Sequence, residues 1–154
     1  MRMRLLAALL LGALFLCDRA PAAQHDRGIG PMLGEPTGAT LKFWRDQDEA
    51  VVFGLGINPF ADFSVQASAD YVLHIFEFGQ QFDVPELALY TGLGGRVNGP
   101  DDGNVELGLR IPVGVNWFSD ERTELFAELT PVLDVAPDWE IDLNAVVGIR
   151  FYGW

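Results

Sequence analysis

Residues 105–117, VELGLRIPVGVNW, alternate an apolar side chain at each odd position with a polar residue, glycine or proline at each even one. Successive side chains of a β-strand point to opposite faces of the sheet, so this stretch predicts a strand with one apolar and one polar face. Residues 63–75 and 141–151 follow the alternation closely, and their apolar positions are again odd-numbered. Each of these stretches therefore predicts an amphipathic strand.

Turn-forming residues divide the rest of the chain into eight candidate strands. The connections between them are short, and nearly all contain Pro, Gly, Asn or Asp. Short connections of this kind join neighbouring strands as antiparallel hairpins. We therefore predict an all-β fold, an eight-stranded antiparallel up-and-down β-barrel with short loops. The predicted strands are 28–34, 38–45, 50–57, 63–77, 86–97, 104–118, 122–134 and 138–152.

The polar face of these strands is rich in glycine and poor in lysine and threonine. Glycine weakens a solvent-facing strand, whereas the narrow interior of an eight-stranded barrel needs small residues. The polar face is therefore predicted to line the lumen and the apolar face to contact lipid, as in a transmembrane barrel. A soluble lipocalin-like binder, with the apolar face inside, is the alternative.

Aromatic residues on the apolar face fall near the ends of the strands. If the mature N-terminus is periplasmic, they form two belts at opposite rims, the arrangement found in outer-membrane barrels. The predicted aromatic girdle consists of Phe43, Phe63, Trp117, Trp139 and Phe151. Residues 145–154, AVVGIRFYGW, form an aromatic-terminated strand, with which such barrels commonly finish, and are expected to close the barrel.

The first 23 residues, MRMRLLAALLLGALFLCDRAPAA, have the layout of a secretory signal peptide. Their apolar run, residues 5–16, is too short to span a membrane as a helix. We expect cleavage near Ala22 or Ala23, export, and residues 24–154 as an outer-membrane β-barrel domain. Cys17 is then lost with the signal. Its lipidation is the less favoured alternative, because Leu16 stands where lipoprotein signals carry a small residue.

Three stretches carry a resemblance to known proteins: residues 28–44 (GIGPMLGEPTGATLKFW), 126–135 (FAELTPVLDV) and 146–154 (VVGIRFYGW). The chain resembles the small eight-stranded bacterial outer-membrane barrels of the OmpA/OmpX type over about residues 27–154. More narrowly, it is similar to a family of small, mostly uncharacterised outer-membrane barrel proteins. The resemblance implies the fold and the bacterial outer membrane, and it implies no chemistry. Pro31, Pro112 and Pro131 depart from a regular strand, and each is predicted to mark a bulge or a strand end.

Nine charged residues fall on the even-numbered, lumen-facing side of the strands. They are Lys42, Asp70, Arg96, Glu106, Arg110, Glu124, Glu128, Asp142 and Arg150. A cation on the lipid face would cost about 2–4 kcal/mol near the midplane, whereas a cation in the lumen can pair with a carboxylate. We expect a salt-bridge network that closes the lumen, because eight strands enclose little more than their own side chains. A narrow channel for ions or small solutes is the alternative.

The charge balance bears on possible partners. The full chain has 10 basic and 22 acidic residues, and removing Arg2, Arg4, Arg19 and Asp18 with the signal leaves 7 and 21, a net charge of −14. Nucleic acid is therefore not an expected partner, because phosphate contacts require Lys and Arg. Outer-membrane lipid is the expected partner, and the short loops favour a monomer.

The sequence offers few residues for catalysis or metal binding. After the signal it has only two histidines, His25 and His74. Enzymes with this fold use Ser and His at the outer rim to act on lipid chains, but His74 is predicted near the periplasmic end of its strand. We expect it to be hydrogen-bonded to a lumen carboxylate. Asp70 and His74 are too few for a metal site, which needs three or four ligands. No catalytic residue, cofactor or metal is predicted.

Two further patterns give weak signals. Residues 98–103, NGPDDG, form an acidic hairpin loop that could bind Ca²⁺ weakly, although a solvated turn is the preferred interpretation. The glycine-rich stretches at 28–34 and 92–99 lie in strand patterns and open no helix, so they do not predict phosphate loops. We therefore expect a non-enzymatic structural or interaction role with a closed lumen. A channel is the alternative, and a lipid-modifying enzyme is a more distant one.

Overall fold

The computed structural model describes residues 26–59, 63–100 and 102–153. The predicted signal peptide, Cys17, His25 and residue 154 lie outside this part of the chain. The described residues form nine strands and one helical turn. These are β1 Arg27–Gly34, β2 Thr37–Trp44, β3 Glu49–Asn58, β4 Ser64–Ile75, α1 Glu77–Gln80, β5 Leu87–Pro100, β6 Glu106–Arg110, β7 Val113–Asp120, β8 Thr123–Ala136 and β9 Glu140–Tyr152.

The strands close into a single antiparallel barrel. Strands β1 to β5 pair in chain order, and β8 pairs with β9. Between β5 and β8 lie both β6 and β7, end to end, so the ring has eight positions. Pairing of β9 with β1, with Gly28 opposite Tyr152, completes it. The predicted all-β, eight-stranded antiparallel barrel is confirmed.

Two rims bound the barrel. The proximal rim carries the start of β1, the end of β9, α1, and the β2–β3, β4–β5 and β7–β8 connections. The distal rim carries the β1–β2, β3–β4, β5–β6 and β8–β9 connections. Within the described residues, no helix is long and apolar enough to cross a membrane.

Pro112 interrupts the strand predicted at 104–118. Its missing N–H breaks the ladder, and β6 ends before Ile111 while β7 begins after Pro112. The register with β5 is the same on both sides of the break, since Arg110 faces Gly94 and Val113 faces Thr91. The two segments therefore occupy one strand position of the barrel.

The other strand prolines behave differently from the prediction. Pro131 lies within β8 and faces Leu143 of β9 with no change of register. Pro31 lies within β1 and faces Ala39 of β2, and only its ladder to β9 is interrupted. The expectation of a bulge or strand end at these two positions is wrong, since β1 and β8 continue through them with their registers on β2 and β9 unchanged. The bulge in this region lies instead between Leu107 and Gly108, opposite β8.

Several strand ends also differ from the prediction. The strand predicted at 63–77 ends at Ile75, and α1 follows it in the β4–β5 connection. The strand predicted at 86–97 runs to Pro100, because β4 continues to pair with β5 through Gly99 and Pro100. Similarly, β8 extends to Ala136, two residues past the predicted end, and β9 begins at Glu140.

The apolar face points outward and the polar face inward. Outward side chains are about half exposed, including Leu109 at 52% and Val147 at 54%, whereas Lys42, Glu124 and Arg150 are at most 2% exposed. This orientation is the one predicted from the glycine pattern. In the predicted girdle, Trp117, Trp139 and the phenylalanines at 63 and 151 are also exposed, and Phe43 is half-buried with its ring 5.9 Å from that of Phe53.

Inward-facing glycines make room for aromatic rings. A Cβ placed on Gly28 would lie 2.5 Å from the ring of Tyr152, and one on Gly148 would lie 2.6 Å from the ring of Phe126. Distances this short cannot be accommodated without moving the ring or the backbone. At Gly28 and Gly148, glycine is therefore explained by the large side chains that cross the narrow lumen.

Candidate functional site: the charged lumen and the distal rim

The lumen is filled by polar and charged side chains that the barrel wall buries. Its ion pairs fall into three groups along the barrel. The proximal cluster surrounds Glu124, the middle cluster surrounds Arg110, and the distal cluster surrounds Arg96. Alternation along the strands produces this arrangement, because every second residue points inward and the ring of strands brings distant residues together.

In the proximal cluster, one carboxylate serves two cations. Glu124 Oε1 lies 3.0 Å from Lys42 Nζ and 2.8 Å from Arg150 Nη1, and none of the three side chains is more than 2% exposed. The Tyr152 hydroxyl donates to Glu124 Oε2, and Asn116 Nδ2 donates to Oε1 at 3.3 Å. Every side-chain oxygen of Glu124 is thus hydrogen-bonded, as a buried carboxylate requires.

Aromatic rings enclose the ammonium group of Lys42. Its Nζ lies 4.2 Å from the centre of the Trp44 ring and 5.9 Å from those of Tyr90 and Phe118. A cation over a ring face is stabilised by the ring's quadrupole, most strongly for Trp. Charge and aromatic packing therefore combine near the proximal rim.

His74 belongs to the same cluster, with partners that differ from the prediction. Its Nε2 lies 2.8 Å from Lys42 Nζ, and its Nδ1 lies 3.1 Å from the backbone oxygen of Asp48. A protonated Nδ1 that donates to Asp48, with Nε2 accepting from Lys42, satisfies both contacts. The expected carboxylate partner is wrong, because Lys42 projects from β2 into the position next to the imidazole. Asp70 is held elsewhere, so the structure does not bring the pair Asp70 and His74 together as metal ligands.

In the middle cluster, Arg110 joins β6 to two other strands. Its Nε lies 3.0 Å from Asp70 Oδ1 on β4, and its Nη2 lies 3.2 Å from Glu128 Oε1 on β8. The Tyr90 hydroxyl donates to Glu128 Oε2 at 2.8 Å, and Thr130 Oγ1 donates to Oε1 at 2.7 Å. Four strands are linked through two carboxylates and one guanidinium.

In the distal cluster, Arg96 contacts two carboxylates. Its Nε lies 3.1 Å from Asp134 Oδ1, and its Nη1 lies 3.0 Å from Asp142 Oδ2. Nη1 also donates to the side-chain oxygens of Gln66 and Asn144, at 3.3 and 3.1 Å. The sequence interpretation did not include Asp134, the last residue of the strand predicted at 122–134, although its even number gives it the lumen-facing parity.

The nine predicted lumen residues differ in whether they form ion pairs. Eight of them take part in ion pairs, and all four cations have at least one carboxylate partner. Glu106 is the exception: it accepts from Asn98 Nδ2 at 2.8 Å and lies at the distal rim. The side chain of Asp142 is 48% exposed and also belongs to that rim.

Two cavities adjoin these clusters. One, of about 20 Å³, lies inside the barrel beside Arg110, Asp70 and Arg150, and has room for about one water molecule. The other, of about 610 Å³, opens at the distal rim above Arg96. Among the described residues, no group of three or more His, Cys, Asp or Glu side chains is arranged to hold a metal ion.

A solved structure has the same architecture. The crystal structure of the N-terminal β-barrel domain of Pseudomonas aeruginosa OprF superposes with a TM-score of 0.61 at 11% identity, over 86% of this chain and 99% of that one. The fold is an OmpA-like β-barrel. At this identity the likeness establishes the fold alone. No protein-family model and no curated protein matches the chain, so the narrower family resemblance stays a prediction.

Proposed function

We propose that this OmpA-like barrel spans the outer membrane of a bacterium as a monomer, after export by an N-terminal signal peptide. In this proposal its lumen is closed by charged side chains, its partner is lipid, and its role is structural or in interaction rather than enzymatic. The observation that carries the proposal is the reversal of polarity: charged residues are buried inside the barrel while large apolar residues cover its outside.

The outer surface supports a membrane environment. Large apolar side chains such as Leu33 at 63% and Leu93 at 63% exposure occur on strand after strand. Monomeric soluble proteins rarely expose contiguous apolar surface on this scale, whereas lipid accommodates it without cost. The closed ring also pairs the strand edges, which a bilayer requires because it offers no hydrogen-bond partners.

The lumen supports closure. Arg110 of β6 and Arg150 of β9 both extend to carboxylates, and the space beside them is only about 20 Å³. A selective pore would more naturally have a lining of one sign, whereas here cations and carboxylates are paired. The role of His74 in holding Lys42 supports a non-enzymatic interpretation, since its ring nitrogens are already engaged.

Fractionation and electrophysiology test the proposal together. The protein is expected in the outer-membrane fraction, with a gel mobility that changes on boiling, as a closed barrel gives. In a planar bilayer the wild-type protein should show no steady conductance. Arg110→Ala, which removes the side chain joining β6 to Asp70 and Glu128, should open a leak and serves as the positive control.

Each alternative function has its own outcome in these experiments. Recovery of the protein in the soluble periplasmic fraction would favour a lipocalin-like binder and contradict the membrane proposal. Steady conductance of the wild type, unchanged in Arg110→Ala, would favour the narrow channel and contradict closure of the lumen.

A further inference from the structure

The outer face of the barrel has a concave region that crosses five neighbouring strands. It is open, and it runs from β5 over β7, β8 and β9 to β1. Its volume is about 570 Å³, within the range of small-molecule sites. Every outward-facing, odd-numbered residue that lines it is Leu, Val or Ala. We call this region the outer groove.

Two alanines explain why the outer face is hollow here. Ala127 of β8 faces Val115 of β7 and Val147 of β9. Ala145 of β9 faces Leu129 of β8. Both alanines are exposed, and the larger side chains beside them form the walls of the groove. In a bilayer an apolar ligand is held by close packing rather than by the hydrophobic effect, and a concave wall offers a flexible chain more contacts than a flat one.

The β7–β8 turn joins two of the strands of the groove at the proximal rim, and it carries both signs of charge. Glu121 and Arg122 are exposed neighbours in this turn, and across the described residues neither is in an ion pair. Asp120 is engaged locally, since its Oδ1 accepts from the backbone N–H of Arg122 at 2.7 Å. The turn therefore offers a partner to a phosphate and a partner to an ammonium group.

The separation of the turn from the groove suits a lipid. Along β8, Ala127 lies four residues after Thr123, the first residue beyond the turn, which corresponds to about 13 Å of extended chain. The hydrocarbon of one leaflet is about 15 Å deep, so an acyl chain whose headgroup lies at the turn reaches the groove. Trp117 of β7 is exposed and lies between the groove and the turn, where aromatic residues meet the membrane interface.

We propose that the outer groove holds an acyl chain of one phospholipid whose headgroup, with a phosphate and a primary ammonium group, lies at the β7–β8 turn. The phosphate accepts from Arg122, and the ammonium group donates to Glu121. An anionic headgroup without the ammonium leaves Glu121 unmatched, and a quaternary ammonium has no N–H to donate. The inference rests on the proposed membrane location and adds a specific lipid to it.

Native mass spectrometry of the folded barrel in a non-ionic detergent tests this site. Phosphatidylethanolamine, phosphatidylglycerol and phosphatidylcholine with identical chains are added in equal amounts. The wild type should retain a single phosphatidylethanolamine. Ala127→Leu combined with Ala145→Leu fills the groove and should lower retention about tenfold, since about ten lost carbon–carbon contacts are worth that factor. The control, Ala67→Leu with Ala69→Leu on β4, across the ring from β9, should stay within about twofold of wild type.

The headgroup has its own pair of variants. Glu121→Gln combined with Arg122→Gln leaves the net charge unchanged. It should remove the preference for phosphatidylethanolamine and weaken its retention about fivefold, the upper effect of an exposed ion pair. Arg45→Gln combined with Asp46→Asn makes the same change in the β2–β3 turn of the same rim and should stay within about twofold of wild type.

The outcomes separate this inference from the proposed function. A barrel that is found in the outer membrane and shifts on boiling, but retains no lipid, overturns the inference and leaves the proposed function standing. Unchanged retention in the groove-filled variant, or equal weakening by either control, does the same. A doubled mass that the groove-filled variant returns to a single one assigns the groove to a second copy and also overturns the inference. Recovery of the protein in the soluble fraction contradicts both.

A second measurement on the wild type covers the case in which the leucine variants do not fold. It uses a phosphatidylethanolamine with a photoreactive group in the middle of its acyl chain. Labelling concentrated on residues 113–115, 127–129 and 145–147 supports the site. Labelling spread evenly around the ring of strands overturns it.

Discussion

At the scale of single residues, Glu124 has the most demanding position in the barrel. It is fully buried and is the one carboxylate within ion-pair distance of both Lys42 and Arg150 in the described structure. Bringing three charges out of water costs free energy, and the cost is offset only while all of them remain paired and hydrogen-bonded. The cluster therefore fixes the relative positions of β2, β8 and β9, because any displacement breaks one of its contacts.

Replacing Glu124 tests this dependence. Glu124→Ala leaves two buried cations without a counter-charge, and we expect it to lower the free energy of unfolding by about 3–5 kcal/mol. The measurement is urea unfolding in lipid vesicles followed by tryptophan fluorescence. Glu121→Ala, an exposed turn residue three positions earlier, should change stability by no more than about 0.5 kcal/mol. Equal stability of the two variants would show that the proximal cluster is not a coupled unit.

Whether a residue has an odd or an even number predicts which charged side chains point into the lumen. For Lys42 and Arg150 this works without any knowledge of the strand register. It cannot predict the partners. Arg150 and Glu124 meet because β8 and β9 pair with Glu124 opposite Arg150, a register that the connection between them does not reveal. Asp134 and His74 were misjudged because β8 runs past its predicted end at residue 134, and because a lysine from β2 reaches the imidazole.

At the scale of elements, β6 and β7 together form one barrel strand that keeps its alternation of apolar and polar residues across the break at Pro112. Val113 lies near the middle of this barrel strand, faces outward and is 43% exposed. In water a substitution there to arginine would be harmless. In a bilayer it should cost about 2–4 kcal/mol, because the guanidinium would lie in hydrocarbon.

A depth series on the outer face measures this difference. Val113→Arg should lower the free energy of unfolding in vesicles by about 2–4 kcal/mol, and Leu107→Arg, closer to the distal rim, by less. Gln47→Arg, in the exposed β2–β3 turn, should have almost no effect. Three equal and small effects would mean that the apolar face does not contact lipid.

Strand number and direction follow from the sequence because alternation and turn chemistry are both local signals. The sequence predicts the ends of the strands less accurately. Gly99 and Pro100 look like a turn, yet they pair with Val65 and Ser64, since the ladder from β4 holds them in extended form. Proline is also ambiguous: β6 and β7 are separated at Pro112, whereas Pro131 lies within β8, so the residue type alone does not predict a break.

At the scale of the whole molecule, the barrel depends on the seam between β1 and β9. Leu33 and Val147 face each other across it, and both point outward. A disulfide between Leu33→Cys and Val147→Cys, in a Cys17→Ser background, should form with a lipid-soluble oxidant, because directly opposite positions bring the two Cα atoms within disulfide range. The cross-linked protein should keep an altered, reductant-sensitive mobility after boiling.

Leu129→Cys combined with Leu33→Cys is the matched control, since Leu129 lies on β8 and faces Ala145 rather than β1. It should not form the same cross-link within one chain. Efficient cross-linking of the control, or failure of the Leu33 and Val147 pair, would mean that the seam is open or has a different register.

The same seam has a consequence for how the protein reaches its folded state. With β6 and β7 counted as one barrel strand, every other seam joins strands that follow one another in the chain, whereas Gly28 and Tyr152 are separated by almost the whole described sequence. Contacts so distant in sequence form late and slowly, because the chain must lose most of its freedom before they add any stability. Until then β1 and β9 are open edges, able to pair with another copy. We therefore expect closure of this seam to limit the folding rate, and aggregation through the two open edges to increase with protein concentration.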